Sequence, residues 1–188
     1  MKKTTLMIIV LVALTTIAFA SQVISYNDSW SEAGISLEQR NGSGVTVNYS
    51  IKEFSLADIQ INGEDLVNIL LPEVMLQNDE GAPNLAGNGR YIAIPQGSTV
   101  ALRILDSRTE TFYNVEVAPA PRIPLDTDDN PLEYNRNQNI YSKNAFYPAN
   151  PVTLGKQTQM RGVDVVMLGI TPFQYNPVTK ELIVYRDL

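Results

Sequence analysis

Residues 161–185 read RGVDVVMLGITPFQYNPVTKELIVY, and this stretch predicts two β-strands joined by a tight turn. Its flanks, Val163–Ile170 and Leu182–Tyr185, are rich in the β-branched and aromatic side chains that suit a pleated sheet. Between them stands Asn176-Pro177, a turn dipeptide, because Asn tolerates unusual dihedrals and Pro fixes φ at the next position. The C-terminal part of the chain is therefore predicted to be β structure.

Earlier segments have the same β character. Apolar and polar residues alternate from Val45 to Ile51, which is the pattern of a half-buried strand. The apolar parity changes at Phe54 and Leu56, and this change predicts a β-bulge. The dipeptide Asn62-Gly63 then follows a short apolar run and predicts a tight hairpin.

The middle of the chain adds further strand patterns and one long irregular segment. Alternation over Val100–Ile104 and over Thr111–Val117 predicts two strands with a turn between them. The helical window Gly63–Leu71 is short and uncapped, so no helix is predicted there. Pro119–Pro151 is rich in Pro, Asp and Asn, and a loop of that length is typically functional or disordered. The predicted fold is all-β: an antiparallel β-sandwich, jelly-roll-like, with one long irregular loop.

The composition limits the chemistry that the chain can perform. It contains no Cys and no His among its 188 residues. Thiol nucleophiles, disulfides, Ser–His or Cys–His catalysis and the usual zinc sites are therefore excluded, and neither enzymatic activity nor a cofactor is predicted. The formal net charge of −6 disfavours contact with phosphate backbones, so no nucleic-acid partner is expected.

The first twenty residues have the pattern of a secretory signal peptide. Lys2 and Lys3 form a positive n-region, Leu6–Ile17 is apolar, and Ala18-Phe19-Ala20 is an A-x-A cleavage site. The apolar run is shorter than the ~20 residues that a membrane span requires. We expect residues 1–20 to be removed, which leaves residues 21–188 as one exported domain, bacterial and periplasmic, cell-surface or secreted, with no membrane contact after cleavage.

The C-terminal pattern resembles the end of the N-terminal propeptide of gingipain-type cysteine peptidases, peptidase family C25. The resembling elements are Arg161-Gly162, a hydrophobic strand, the segment Pro172–Lys180 and a second strand. Upstream landmarks agree in order, and the resemblance covers roughly Leu70 to Asp187. They are Gly81–Leu85, Tyr91–Gly97, Val100–Leu105, Val117-Ala118-Pro119 and Phe146-Tyr147-Pro148. One departure is Ala86, where the family tends to have Pro.

The resemblance implies a prodomain that inhibits its own peptidase and assists its folding. The implied partner is the cognate C25 peptidase domain, expected beyond Leu188. In this family a propeptide loop enters the active-site cleft, and its anchor side chain fills the specificity pocket. The corresponding region here holds the inhibitory loop candidates Arg122, Ile123 and Leu125. An anchor at Arg122 implies an enzyme that cuts after basic residues, whereas an anchor nearer Leu125 does not.

Two further interpretations stay open from the sequence. Asp126, Asp128 and Asn130 have the opening spacing of a calcium loop, but Pro131 and Asn137 depart from the EF-hand pattern, so a solvated acidic turn is expected and no metal is assigned. The alternative to a prodomain is a stand-alone secreted β-sandwich that binds a polysaccharide or a cell-surface partner. Trp30, Tyr26 and Tyr49 could then stack against sugars, although such residues more often belong to a core or an interface.

Overall fold

A computed structural model of the chain describes residues 21–39, 44–72, 79–123, 126–127 and 132–188. These residues form twelve β-strands and one four-residue helix. In chain order the elements are β1 Ser21–Ser25, β2 Gly34–Gln39, β3 Val45–Ser50, β4 Glu53–Ile61, β5 Glu64–Leu70, β6 Asn88–Ala93, β7 Arg108–Phe112, α1 Gln138–Tyr141, β8 Val152–Leu154, β9 Thr158–Met160, β10 Val163–Ile170, β11 Phe173–Asn176 and β12 Glu181–Asp187.

The strands form three sheets in which every strand pair is antiparallel. Sheet 1 has the order β1-β4-β5. Sheet 2 has the order β6-β10-β8, and β9 also pairs with β10. Sheet 3 has the order β11-β12-β3-β2, and β7 also pairs with β12. The prediction of an all-β, antiparallel fold is confirmed.

One hydrophobic core joins the three sheets. Phe54 of sheet 1 lies at its centre, with its ring 5.5 Å from the ring of Phe173 in sheet 3 and 5.9 Å from that of Phe112. Sheet 2 contributes Leu168 and Ile170 to the same buried cluster. Since the chain has no Cys and so no disulfide, this aromatic and aliphatic packing supplies most of the stability.

The Asn62-Gly63 hairpin is confirmed. Ile61 pairs with Glu64, so the loop contains only two residues. Both have positive φ, 52° for Asn62 and 81° for Gly63, which is the conformation of a type I′ turn. The same residues rule out the helical window after Gly63, because β5 begins immediately beyond the turn.

The C-terminal turn is confirmed, but the predicted partner strand is wrong. Asn176 Oδ1 accepts hydrogen bonds from the amides of Val178 and Thr179, as expected for a turn-forming Asn. The hairpin joins β12 to β11, whereas Val163–Ile170 lies in sheet 2. The chain changes sheets at Thr171-Pro172, and alternation alone does not reveal such a crossing.

The bulge predicted at Phe54 and Leu56 is also a change of sheet. The Ile51 amide donates to the carbonyl of Arg186 in sheet 3, whereas the Lys52 carbonyl accepts from Tyr26, next to sheet 1. The apolar parity changes because the chain passes from one sheet to another between these two residues.

The strand predicted over Val100–Ile104 is not formed. Residues 98–107 lie outside any strand, and Leu102 and Ile104 are 43% and 46% exposed. The following prediction is correct in part, because β7 occupies Arg108–Phe112. Alternation reports a side-chain pattern, but a strand also needs a neighbour for its backbone hydrogen bonds.

A buried carboxylate ties the end of β12 to the rest of sheet 3. The side chain of Asp187 is fully buried, and its Oδ1 accepts hydrogen bonds from Trp30 N at 2.8 Å and Ser50 Oγ at 2.7 Å. Its Oδ2 accepts from Arg108 Nε at 2.8 Å. The Arg108 guanidinium also lies over the Trp30 ring, 5.1 Å from its centroid.

Alkaline pH is expected to destabilise the fold through its buried tyrosines. Burial raises the pKa of Tyr175 to about 12, and burial also raises the pKa of Tyr49 and of Tyr141 above the usual value. The unfolded chain loses these protons near pH 10, before the folded chain does, so the free energy of unfolding should fall from about pH 10 towards pH 12. Urea unfolding between pH 7 and pH 12 measures this, and a constant midpoint across that range would contradict it.

Candidate functional site

The segment that contains Arg122 follows an extended stretch, residues 116–120, whose backbone is hydrogen-bonded to neighbouring segments. The Ala118 amide donates to the carbonyl of Val67 at 2.9 Å, and the Val67 amide donates to the carbonyl of Glu116 at 2.7 Å. The Ala118 carbonyl accepts from the Asn84 amide at 2.8 Å. Ala118 and Ala120 are buried, so the chain is fixed up to the residue before Pro121.

Gly81 closes the base of the following loop, which we define as residues 121–136. Its amide donates to the carbonyl of Ala120 at 2.9 Å, and its carbonyl accepts from the amide of Asn137 at 2.9 Å. The departing and the returning chain therefore meet on one residue. Gly81 has φ +76°, and a Cβ there would lie 2.6 Å from the backbone oxygen of Asn135. Only glycine fits this conformation and this close approach.

The returning side of the loop packs against the β4–β5 hairpin. Arg136 Nη2 donates to Glu64 Oε2 at 2.5 Å, and its guanidinium lies 5.5 Å from the ring centroid of Tyr141. Tyr134 packs against a small cluster of Ile61, Leu66 and Ala118. Beyond the loop, Asn137 caps α1 by accepting from the Asn139 amide. Both ends of the loop are thus held by the sandwich.

The structure places two of the three inhibitory loop candidates. Arg122 and Ile123 follow Pro121 directly and are both exposed, Ile123 by 51%. Leu125 lies outside the described residues. The structure therefore places Arg122 and Ile123 at the first exposed positions after the hydrogen-bonded stretch 116–120, where they are accessible to a partner.

The calcium candidates are only partly described. Asp126 is exposed in a turn, whereas Asp128 and Asn130 lie outside the described residues. Within the described ranges, no group of three or more His, Cys, Asp or Glu side chains could hold a metal ion. The spacing from Asp126 to Asn130 stays a prediction.

The aromatic residues considered for sugar stacking do not form one exposed platform. Tyr26 and Tyr49 are buried in the core, and Trp30 is 44% exposed beside Arg108. These side chains therefore have structural partners.

The sequence alone did not indicate that Gly81 holds the base of the loop 121–136. It lies in the family landmark Gly81–Leu85, but nothing in the neighbouring sequence shows that it contacts Ala120 and Asn137. A glycine before Ala-Pro is compatible with many turns. The role of Gly81 depends on hydrogen bonds between residues far apart in the sequence.

Replacing Gly81 with alanine is expected to loosen the loop base. Gly97→Ala is the matched control, because Gly97 has a similar φ of +71° but nothing within 4 Å of a new Cβ. Both changes add the strain of a positive φ, on the order of 1 kcal/mol, and only Gly81→Ala adds the clash with Asn135. Thermal unfolding should therefore show a larger decrease in Tm for Gly81→Ala than for Gly97→Ala. Equal decreases would contradict the close contact of Gly81 with Asn135 at the loop base.

No helix in the described part of the chain is long and apolar enough to cross a membrane.

Solved structures with a similar fold come from Porphyromonas gingivalis. The complex of RgpB pro- and mature domains matches with a TM-score of 0.75 at 21% identity, covering 81% of this chain and 80% of the matched chain. A structure on the zymogenic latency of gingipain K matches with a TM-score of 0.70 at 18% identity, covering 89% of this chain and 95% of the matched chain. Both similarities support the fold.

Sequence comparisons find relatives in the same organism and one family. Gingipain R1 is 28% identical over 114 residues, which is 59% of this chain and 11% of that protein. Lys-gingipain HG66 is 23% identical over 147 residues, 74% of this chain and 8% of that protein. The chain thus spans about a tenth of the length of these curated relatives. The family model Propeptide_C25 matches residues 30–188, most of the chain. The chain therefore belongs to the propeptide family of C25 peptidases, as a non-catalytic part of a peptidase precursor.

Proposed function

We propose that the chain inhibits the C25 peptidase of its own precursor by placing the loop 121–136 in the active-site cleft. One observation carries the proposal: the loop leaves and rejoins the sandwich at Gly81, and the exposed residues Arg122 and Ile123 follow its fixed start. A loop whose ends are already ordered loses less conformational entropy when it binds, so more of the contact energy appears as affinity.

The closed base also favours inhibition over simple cleavage as a substrate. If the peptidase cuts within the loop, Ala120 and Asn137 still hold the two new ends through their hydrogen bonds to Gly81. The products then stay close to the cleft and dissociate slowly. Release would require loss of the whole sandwich contact, since a stable interface buries on the order of 1,600 Å² in total and the loop alone is too small.

The arrangement of the precursor is part of the proposal. Residues 1–20 would direct export, residues 21–188 would form the prodomain, and the peptidase domain would follow Leu188. The chain matches 11% of the length of Gingipain R1 and 8% of the length of Lys-gingipain HG66, which supports a much longer precursor. The solved complex of RgpB pro- and mature domains supports the peptidase as the partner. A prodomain that folds first would also offer the peptidase a preformed surface during folding.

Inhibition kinetics test this function directly. The purified chain is expected to inhibit the peptidase of its own precursor competitively, so that the apparent KM for a small peptide substrate rises and kcat stays constant. Serum albumin at the same concentration controls for nonspecific protection. Absence of inhibition at micromolar concentration would refute the proposal and favour a stand-alone binding module.

A further inference from the structure

An apolar cavity of about 830 Å³ opens between sheets 2 and 3. Its floor is the inner face of sheet 2, with Ile92, Leu154, Val166 and Leu168. One rim is β3, and the other rim is the segment 98–106. Leu188, directly after β12, also lines the cavity. The cavity is therefore a gap in the layer of sheet 3 that leaves part of the core side of sheet 2 open.

The β3 rim offers unpaired backbone groups. Tyr49 exchanges both backbone hydrogen bonds with Leu188, at 2.8 and 2.9 Å, so the Tyr49 peptide groups face β12. In an antiparallel sheet, the backbone N–H and C=O groups of every second residue point to the same neighbouring strand. The backbone groups of Val47 and Val45 therefore point to the same edge of β3 as those of Tyr49. Asn48 and Thr46 instead face β2. Within the described residues no backbone partner meets Val47 or Val45 along this edge.

The opposite rim, segment 98–106, lies where a strand on the other side of the cavity would stand. β7 pairs with the other edge of β12, and its first residue, Arg108, pairs with Asp187. The segment 98–106 precedes β7 and so runs on beyond the end of β12. Its alternating residues form no strand, and Leu102, Ile104 and Leu105 are 43%, 46% and 59% exposed. The gap between the two rims lies in line with β12.

We infer that this cavity is the strand position of one further segment, an extended peptide running on from Leu188 antiparallel to β3. The inference rests on the proposed function, in which more of the precursor follows Leu188. The register Asp187↔Ser50 places the second following residue opposite Val47 and the fourth opposite Val45. Since Val47 packs against the core, these two positions require apolar side chains.

A peptide strand fits the cavity better than a small apolar ligand does. Unpaired backbone donors and acceptors beside an apolar floor are satisfied by another backbone, as in β-strand addition. The same strand would give the segment 98–106 the neighbour that its alternation calls for. The connection between prodomain and peptidase would then be built into the prodomain core.

Two extensions of equal composition test the inference without any peptidase. The chain is extended after Leu188 with Thr-Val-Thr-Val-Lys-Gly, which places Val opposite Val47 and Val45, or with Val-Thr-Val-Thr-Lys-Gly, which places Thr there. Only the first extension should slow amide hydrogen exchange of Val45 and Val47. The expected factor is about tenfold or more, because each amide would gain a hydrogen bond to the added strand and the packing of the Val side chains would stabilise it. Asn48 and Thr46, whose amides already face β2, serve as internal controls.

The fluorescence of Trp30, the single Trp of the chain, provides a second measurement, because Trp30 also lines the cavity. The first extension should shift its emission to shorter wavelength, and the second should not. Unchanged exchange with both extensions, or equal protection by both, would overturn the strand position. A chain that gains protection but does not inhibit the peptidase would refute the proposed function alone, and the reverse result would refute the strand position alone.

Discussion

Arg122→Ala is expected to weaken inhibition of the cognate peptidase about thirtyfold. If Arg122 is the anchor, its guanidinium fills an acidic specificity pocket, and truncation leaves that pocket empty and desolvated. Removal of such a central anchor typically costs on the order of 2 kcal/mol or more, which corresponds to this factor. Inhibition constants of the wild-type chain and of Arg122→Ala, measured at one ionic strength, give the ratio directly.

The controls for this experiment separate anchoring from charge and from stability. Arg161→Ala removes the same charge at the exposed turn between β9 and β10, so it should leave the inhibition constant nearly unchanged. Leu125→Ala tests the other anchor position. An unchanged constant for Arg122→Ala together with a large loss for Leu125→Ala would move the anchor and remove the case for basic-residue specificity. Thermal unfolding of each variant shows whether the fold is intact.

Asp187→Ala is expected to lower the free energy of unfolding by about 3–5 kcal/mol, because it removes one partner of a buried ion pair. The change leaves the Arg108 guanidinium without the acceptor that it meets at 2.8 Å. It also leaves Trp30 N and Ser50 Oγ without the carboxylate oxygen that both contact. Urea unfolding of wild type and variant measures the difference.

A double-mutant cycle identifies the source of that loss. Arg108→Ala together with Asp187→Ala removes both charges, so the double variant should be more stable than the sum of the single losses indicates. Asp28→Ala is the matched control, since Asp28 contacts the same Arg108 at the exposed side of the network and should matter little. Additive losses in the cycle would contradict a coupled Arg108–Asp187 pair.

Local sequence signals predicted the elements that depend on local chemistry. The positive φ values at Asn62 and Gly63 and the side-chain bonds of Asn176 follow from the residues at those positions. The extent of β10, Val163–Ile170, was also correct. The fold class was also predictable, because alternation and the lack of a long helical period can both be recognised within a short window of sequence.

The partners of these elements could not be predicted in the same way. The sequence paired Val163–Ile170 with Leu182–Tyr185, but the chain changes sheets at Pro172. It also predicted a strand over Val100–Ile104, where the described chain provides no ladder neighbour. Pairing is a relation between distant segments, and alternation carries no information about which segment lies beside which.

The sequence by itself determined the family and predicted the segment of the proposed site, and the tertiary structure decided how that segment is held. Arg122 and Ile123 could be named from the motif Val117-Ala118-Pro119 and the Pro-rich loop that follows. The closure of the loop at Gly81 could be found only in the folded structure, because its two hydrogen bonds join Gly81 to residues 39 and 56 positions away in the sequence. Short-range preferences fix turns and strands, whereas the entropy of closing such long loops is overcome only when the whole core forms, so these contacts exist only in the folded chain.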